Sequence, residues 1–86
     1  MQDMAQKIGA IIIQNTRKRM KELDWNQSVL AEKMRCKQPV ISQFLSGKWS
    51  PTIEYVERLA YVLRVTPVWL MTQSEIDEPV LTGANS

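Results

Sequence analysis

The stretch NQSVLAEKMRCKQPVISQFLSGK, Asn26 to Lys48, limits the possible fold more than any other part of the chain. Its apolar spacing predicts one helix in which Leu30 and Met34 stack a turn apart. A short break at Arg35 to Lys37 leads into a second helix, in which Ile41, Phe44 and Leu45 point inward. Two helices joined by so short a turn cross at roughly a right angle, so particular positions must be small or apolar. Ala31 stands at the closest approach, where a larger side chain would not fit. Leu30, Met34, Cys36, Ile41 and Phe44 are apolar where the crossing needs them to be. A pattern that fixes residue type at six places is specific.

Spacing predicts helix on both sides of this pair as well, and no segment alternates as a strand would, so the fold class is all-α. Ile8, Ile12, Thr16, Met20 and Leu23 form one face of a long first helix. Asp24 ends it, because aspartate tolerates the left-handed turn found there. Asn26 caps the second helix, and Gly47 stops the third before the loop Lys48-Trp49-Ser50-Pro51. Thr52 caps a fourth helix with the stripe Ile53, Val56, Leu59, Ala60 and Leu63. Thr66-Pro67 then opens a short fifth helix carrying Trp69 and Leu70. Periodicity stops beyond Met71, and Pro79, Gly83, Asn85 and Ser86 read as a flexible tail or hinge. The expected organisation is one domain, residues 1–72, and an acidic tail, residues 73–86. No internal repeat is present.

Composition narrows the function. With 44% apolar and 23% charged residues the chain reads as a soluble globule. Its longest apolar stretch, Ile8 to Ile13, is far too short to span a bilayer. Arg17, Lys18 and Arg19 follow that stretch, whereas a secretory signal would have them precede it. A cytoplasmic location and no membrane partner are the expectations. Cys36 is the single cysteine and there is no histidine, so an internal disulfide, a histidine-based nucleophile and a cysteine–histidine metal site are all excluded. We therefore expect no enzyme, no cofactor, no metal and no small-molecule ligand. The net charge of +2 hides an asymmetry: Gln73 to Ser86 holds three of the nine acidic residues and no basic one. The first 72 residues thus carry eleven basic against six acidic groups, or +5. A basic body suits an anionic partner.

With the crossing pattern in place, the chain resembles the Cro and lambda-repressor family over about Ile8 to Met71. Ser46-Gly47-Lys48, Pro51-Thr52-Ile53-Glu54, Leu59-Ala60 and Val68-Trp69-Leu70 are similar to blocks of that family. The resemblance implies a compact, lambda-repressor-like five-helix bundle containing a helix-turn-helix, with the third helix in the major groove of DNA. Three departures stand out. Arg35 takes the turn position where the family usually has glycine, so it must either adopt a left-handed conformation or reshape the turn. Lys37 replaces the usual Ser or Thr cap of the third helix. Met20 and Leu45 stand where the family often pairs an arginine with a glutamate, an exchange that is often neutral or stabilising.

The resemblance also implies roles. Gln27 and Gln38 match the paired glutamines at the starts of the second and third helices: Gln38 reads an adenine edge, and Gln27 braces Gln38 and touches a phosphate. Ser42, Gln43 and Ser46 face the same side, within reach of bases or phosphates. Pro39 and Val40 are placed for thymine methyls. Asn26, Lys37 and Lys48, with Gln27 and Ser46, are the expected phosphate contacts. One such domain buries only about 600–1,000 Å² on DNA, so a dimer is expected, and the resemblance together with the apolar anchor Trp69 puts its interface on Val68, Trp69 and Met71 of the fifth helix. Plainer readings stand beside these. The cluster Arg17, Lys18, Arg19 and Lys21 reads as a solvated helix face before a binding patch. Cys36 is a small core residue, Trp25 and Trp69 are structural, and Trp49 either packs on the fourth helix or lies against a sugar-phosphate strand.

The function this implies is sequence-specific repression by a dimer on double-stranded operator DNA. The same architecture suits an antitoxin or restriction-modification controller binding its own promoter. A reading from another class is an adaptor that holds a protein and has no specific DNA site.

Overall fold

A short polar side chain that accepts a backbone N–H marks where a helix starts, and that local rule divides this chain. The computed structural model describes residues 4–73. They form α1 (Met4–Leu23), α2 (Gln27–Met34), α3 (Gln38–Leu45), α4 (Ile53–Leu63) and α5 (Pro67–Met71). Asn26 accepts from the Val29 N–H at 2.9 Å, Thr52 from that of Tyr55 at 3.0 Å and Thr66 from that of Trp69 at 3.0 Å. These are the caps expected from the sequence.

The helices also end alike. Asp24, Arg35, Gly47 and Arg64 have φ of 61°, 59°, 80° and 63°, so the first four helices each turn off through a left-handed residue. After each one, the next residue's N–H returns five positions to a carbonyl: Trp25 to Met20, Cys36 to Ala31, Lys48 to Gln43 and Val65 to Ala60. This is the Schellman closure, which satisfies carbonyls the helix itself leaves open. Only one of the four turns uses glycine. The other three hold a side chain in a conformation costing roughly 1–2 kcal/mol.

Side chains from elsewhere complete the C-terminal ends. Arg58 donates to the Met34 carbonyl at 2.8 Å, Arg17 to that of Leu45 at 3.2 Å and Arg19 to that of Leu63 at 2.8 Å. These carbonyls are the last of α2, α3 and α4, where the helix dipole favours a cation. Asn15 is buried and directs its amide at the carbonyls of Trp69, Leu70 and Thr72, which closes α5. Three of the four clips come from α1, so that helix straps the others together.

The core lies between α1 and the remaining helices: Ile12, Met20, Leu30, Ala31, Met34, Ile41, Phe44, Leu45, Val56, Leu59, Ala60, Leu63 and Leu70 are buried. The α1 face is as expected, with Thr16 buried and its hydroxyl bonded to the Ile12 carbonyl at 2.7 Å. One stripe residue is corrected. Ile53, the first residue of α4, is 66% exposed at the rim of a hollow that it shares with Ile8 and Ile12 of α1 and Met71 of α5, and the inward stripe begins at Val56. Among the described residues no helix is long and apolar enough to cross a membrane. The expected tail, residues 73–86, lies outside the described residues except for Gln73.

Candidate nucleic-acid interface

The crossing of α2 and α3 positions the site. Ala31 is 3% exposed beneath it, which is why nothing larger fits. Arg35 resolves the first departure from the usual pattern by adopting the left-handed conformation, φ 59° and ψ 46°, so the turn keeps its shape without glycine. Leu30, Met34, Ile41 and Phe44 fill the angle between the two helices, and Cys36 is half-buried at its edge.

With its buried side committed to Ile41, Phe44 and Leu45, α3 turns its other side outward. Gln38, Pro39, Val40, Gln43 and Ser46 are exposed and Ser42 is half-buried, so the expected readers share one face. A shallow hollow lined by Gln38, Pro39 and Ser42 marks its first turn. No residue of α3 is charged, and an exposed lysine flanks it at each end, Lys37 before and Lys48 after. Lys37 supplies no side-chain cap, as a lysine cannot, and Pro39 sits in the first turn where its missing N–H is harmless. Asn26 is exposed and Gln27 half-buried at the start of α2, beside α3.

Two details differ from the roles expected. Gln27 makes no hydrogen bond to Gln38; the Ser28 hydroxyl donates to Gln38 Oε1 at 2.9 Å instead. Successive helix positions are about 100° apart, and it is Ser28, not Gln27, that faces the start of α3. The Ser46 hydroxyl donates to the Ser42 carbonyl at 2.8 Å, which leaves its oxygen lone pairs as acceptors on the surface.

A helix-turn-helix family model matches residues 17–70, which contain the whole α2–α3 crossing, α4, the end of α1 and nearly all of α5. The chain belongs to the Cro/lambda-repressor-type helix-turn-helix family. It is therefore a DNA-binding transcriptional regulator. Among solved structures, the crystal structure of a hypothetical transcription factor, NHTF, from Neisseria has the same fold. Its TM-score is 0.76 at 20% sequence identity, over 85% of this chain and 84% of that one. No curated protein matches the chain.

Within this helix-turn-helix domain the loop after α3 is fixed from behind. Trp49 packs against Phe44 with ring centroids 5.3 Å apart and meets Tyr55 of α4 edge-on at 5.1 Å. That settles its alternatives in favour of packing on the fourth helix, and it leaves Lys48 on the outer side. The Tyr55 hydroxyl is buried with no hydrogen-bond partner among the described residues. Burial first, and then the neighbouring Cys36, push its pKa up to about 12, against a smaller opposing effect of Arg58. Burial likewise raises the Cys36 thiol, opposed by Arg58. A raised thiol has little thiolate, which agrees with a packing role.

The basic cluster of α1 divides. Arg17 and Arg19 clip the ends of α3 and α4, and Arg19 also pairs with Glu22 at 3.1 Å, so neither is simply a solvated charge. Sequence reasoning missed Asn15, Arg17, Arg19, Arg58 and Ser28. A signal existed for two of them: Asn15 and Arg19 continue the spacing of Ile8 and Ile12 and so lie toward the apolar face. Met20 and Leu45 are buried, as expected for apolar replacements of the family's ion pair. On α5, Val68 is 68% exposed, while Trp69 and Met71 are half-buried against the core. Trp25 lies under Lys33, whose ammonium is 5.3 Å from the ring centroid.

Proposed function

We propose that the chain is a sequence-specific repressor that binds double-stranded operator DNA as a homodimer. The observation that carries this reading is the outer face of α3: uncharged, with exposed amides at Gln38 and Gln43 beside the apolar Pro39 and Val40, and bracketed by two lysines. A helix with its side chains is about 10–12 Å across, close to the width of the major groove. Gln38, Pro39, Val40, Ser42 and Gln43 read bases there. Asn26, Gln27, Lys37, Ser46 and Lys48 hold the flanking phosphates and set the register of α3. Repression follows sterically, because a protein seated across adjacent grooves excludes polymerase.

One domain offers little surface to DNA, so two copies are needed for tight specific binding. Val68 with Trp69 and Met71 on α5 is the surface proposed to join them, the indole being the kind of apolar anchor that interfaces use. Selection of binding sites from random duplexes, followed by sedimentation of the complex, tests the reading. The expected result is a two-fold symmetric site with half-sites about 10–10.5 base pairs apart, bound by two copies. Binding without any preferred sequence, lost at physiological salt, overturns it.

A further inference from the structure

We propose that the acidic segment after α5, residues 75–78, docks on the basic outer face of α1 and there opposes DNA binding. Its effect on DNA rests on the reading of α3 as the recognition helix; the contact itself does not. The argument starts from how charge is sorted along α1. Lys7, Gln14, Arg17, Lys18 and Lys21 are all exposed. Each helix residue turns about 100°, so Lys7, Gln14, Lys18 and Lys21 share one side and Arg17 borders it. Glu22 is the single carboxylate of α1, and Arg19 pairs with it at 3.1 Å. Arg17 donates to the Leu45 carbonyl, a neutral acceptor, so its charge is not cancelled there. Other exposed cations are scattered or answered. Lys37 and Lys48 stand at opposite ends of α3, and Lys33 and Arg35 border a hollow with Glu54 and Glu57.

The fold delivers an opposite charge to that face. Asn15 donates to the carbonyls of Trp69, Leu70 and Thr72 at 3.1, 2.9 and 2.9 Å, so the chain leaves α5 pinned to the middle of α1. Lys18 and Lys21 lie further along the same helix, about 5 and 9 Å from Asn15 by the helical rise. Glu75, Asp77 and Glu78 follow Thr72 by three, five and six residues, a reach of about 10–20 Å at full extension. Residues 73–86 hold no basic residue to oppose them. So short a tether keeps the carboxylates at about millimolar effective concentration beside the lysines, and several ion pairs that are weak singly then add up. At its C-terminal end the face joins the nucleic-acid interface. Arg17 and Lys21 line one hollow with Asp24, Asn26 and Gln27, the last two being proposed phosphate contacts. Carboxylates seated there repel the DNA backbone beside α2 and occupy cations that would attract it.

Carbodiimide cross-linking of the full chain without DNA, with the joined peptides identified by mass spectrometry, tests the contact. Glu75, Asp77 and Glu78 should couple to Lys18 and Lys21 about five-fold more often than to Lys37 or Lys48, and high salt should abolish the preference. Equal coupling to all four lysines would overturn the proposal and leave the reading of α3 intact. The consequence is read from DNA affinity at low salt. Glu75→Gln, Asp77→Asn and Glu78→Gln together should tighten binding to every sequence by about five-fold. In a Lys18→Gln, Lys21→Gln background the same replacement should change affinity by less than about two-fold, because the contact is already lost. An equal gain in both backgrounds would show that the segment acts through net charge alone, and would overturn docking as the cause. If the parent chain binds no DNA while the cross-links form, the reading of α3 fails, and with it the effect on DNA, while the contact stands.

Discussion

The two helices of the crossing have the same length, eight residues each, and the same kind of C-terminal closure, yet they begin differently. α2 starts under a side-chain cap from Asn26, while α3 starts behind Lys37 with no side-chain cap at all. Both last carbonyls are clipped by an arginine, Arg58 for Met34 and Arg17 for Leu45. The first turn of α3 needs no side-chain cap: the Val40 N–H returns to the Lys37 carbonyl at 3.0 Å, and Pro39 has no N–H to satisfy. A helix start combines open N–H groups with the positive end of the dipole, and here a lysine stands beside it. α2 is the finished frame. α3 begins on a lysine instead, at the positive end of its dipole.

The largest expected effect separates the two faces of α3. Phe44 is fully buried and touches both Trp49 and Tyr55. Phe44→Ala should cost about 3–5 kcal/mol, as for large aromatic truncations in cores. Exposed Gln43→Ala, its neighbour, should be nearly neutral in stability. Chemical denaturation of both variants checks this; similar losses would mean that α3 is not anchored by one face alone.

A smaller effect tests the two helix starts. Asn26→Ala removes a cap and should cost about 1 kcal/mol, whereas Lys37→Ser supplies one and should add a similar amount. On DNA, Lys37→Ser should bind more weakly to every sequence alike, with the magnitude of the salt slope reduced by about one unit. Gains in both stability and binding would contradict the view that a lysine in place of a cap at the start of α3 serves the DNA.

The starts and stops of this fold were legible because they are local. Asn26, Thr52 and Thr66-Pro67 each act within three residues of themselves, and Asp24 and Gly47 each turn the chain where they stand. Arg64 adopts the same left-handed turn, but an arginine carries no signal for it. The clips were illegible for a different reason. Arg58 reaches 24 positions back to Met34, Arg19 reaches 44 forward to Leu63, and Asn15 reaches more than 50 forward to α5. No spacing rule covers such distances. Ile53 misled because periodicity places it on a face without saying where that face runs out. In the site, type and position were readable from Gln38 to Lys48, but the Ser28 bond depends on the crossing and required three dimensions.

The smallest effect concerns the wall behind the site. An unfolded tyrosine loses its proton near pH 10, and folded Tyr55 holds it to about pH 12. The folded state therefore binds that proton more tightly. This contribution to stability is complete below pH 10 and is lost as pH rises through about 12. Tyr55→Phe should reduce the fall in melting temperature between those values. At pH 7 it should be neutral or stabilising by up to about 1 kcal/mol, because it removes a buried hydroxyl without a partner. An unchanged alkaline slope would show that other groups set it.

The central claim is that α3 reads bases while its flanking lysines only hold the backbone, and comparing Gln38→Ala with Lys48→Ala on one selected site tests it most directly. Affinity is measured for every single-base variant at several salt concentrations. Gln38→Ala should cost about 1–3 kcal/mol on the preferred site and relax preference at one base pair per half-site, with the salt slope intact. Lys48→Ala should weaken all sequences equally and reduce the magnitude of the slope by about one unit. Uniform weakening by Gln38→Ala, with discrimination preserved everywhere, would contradict the account.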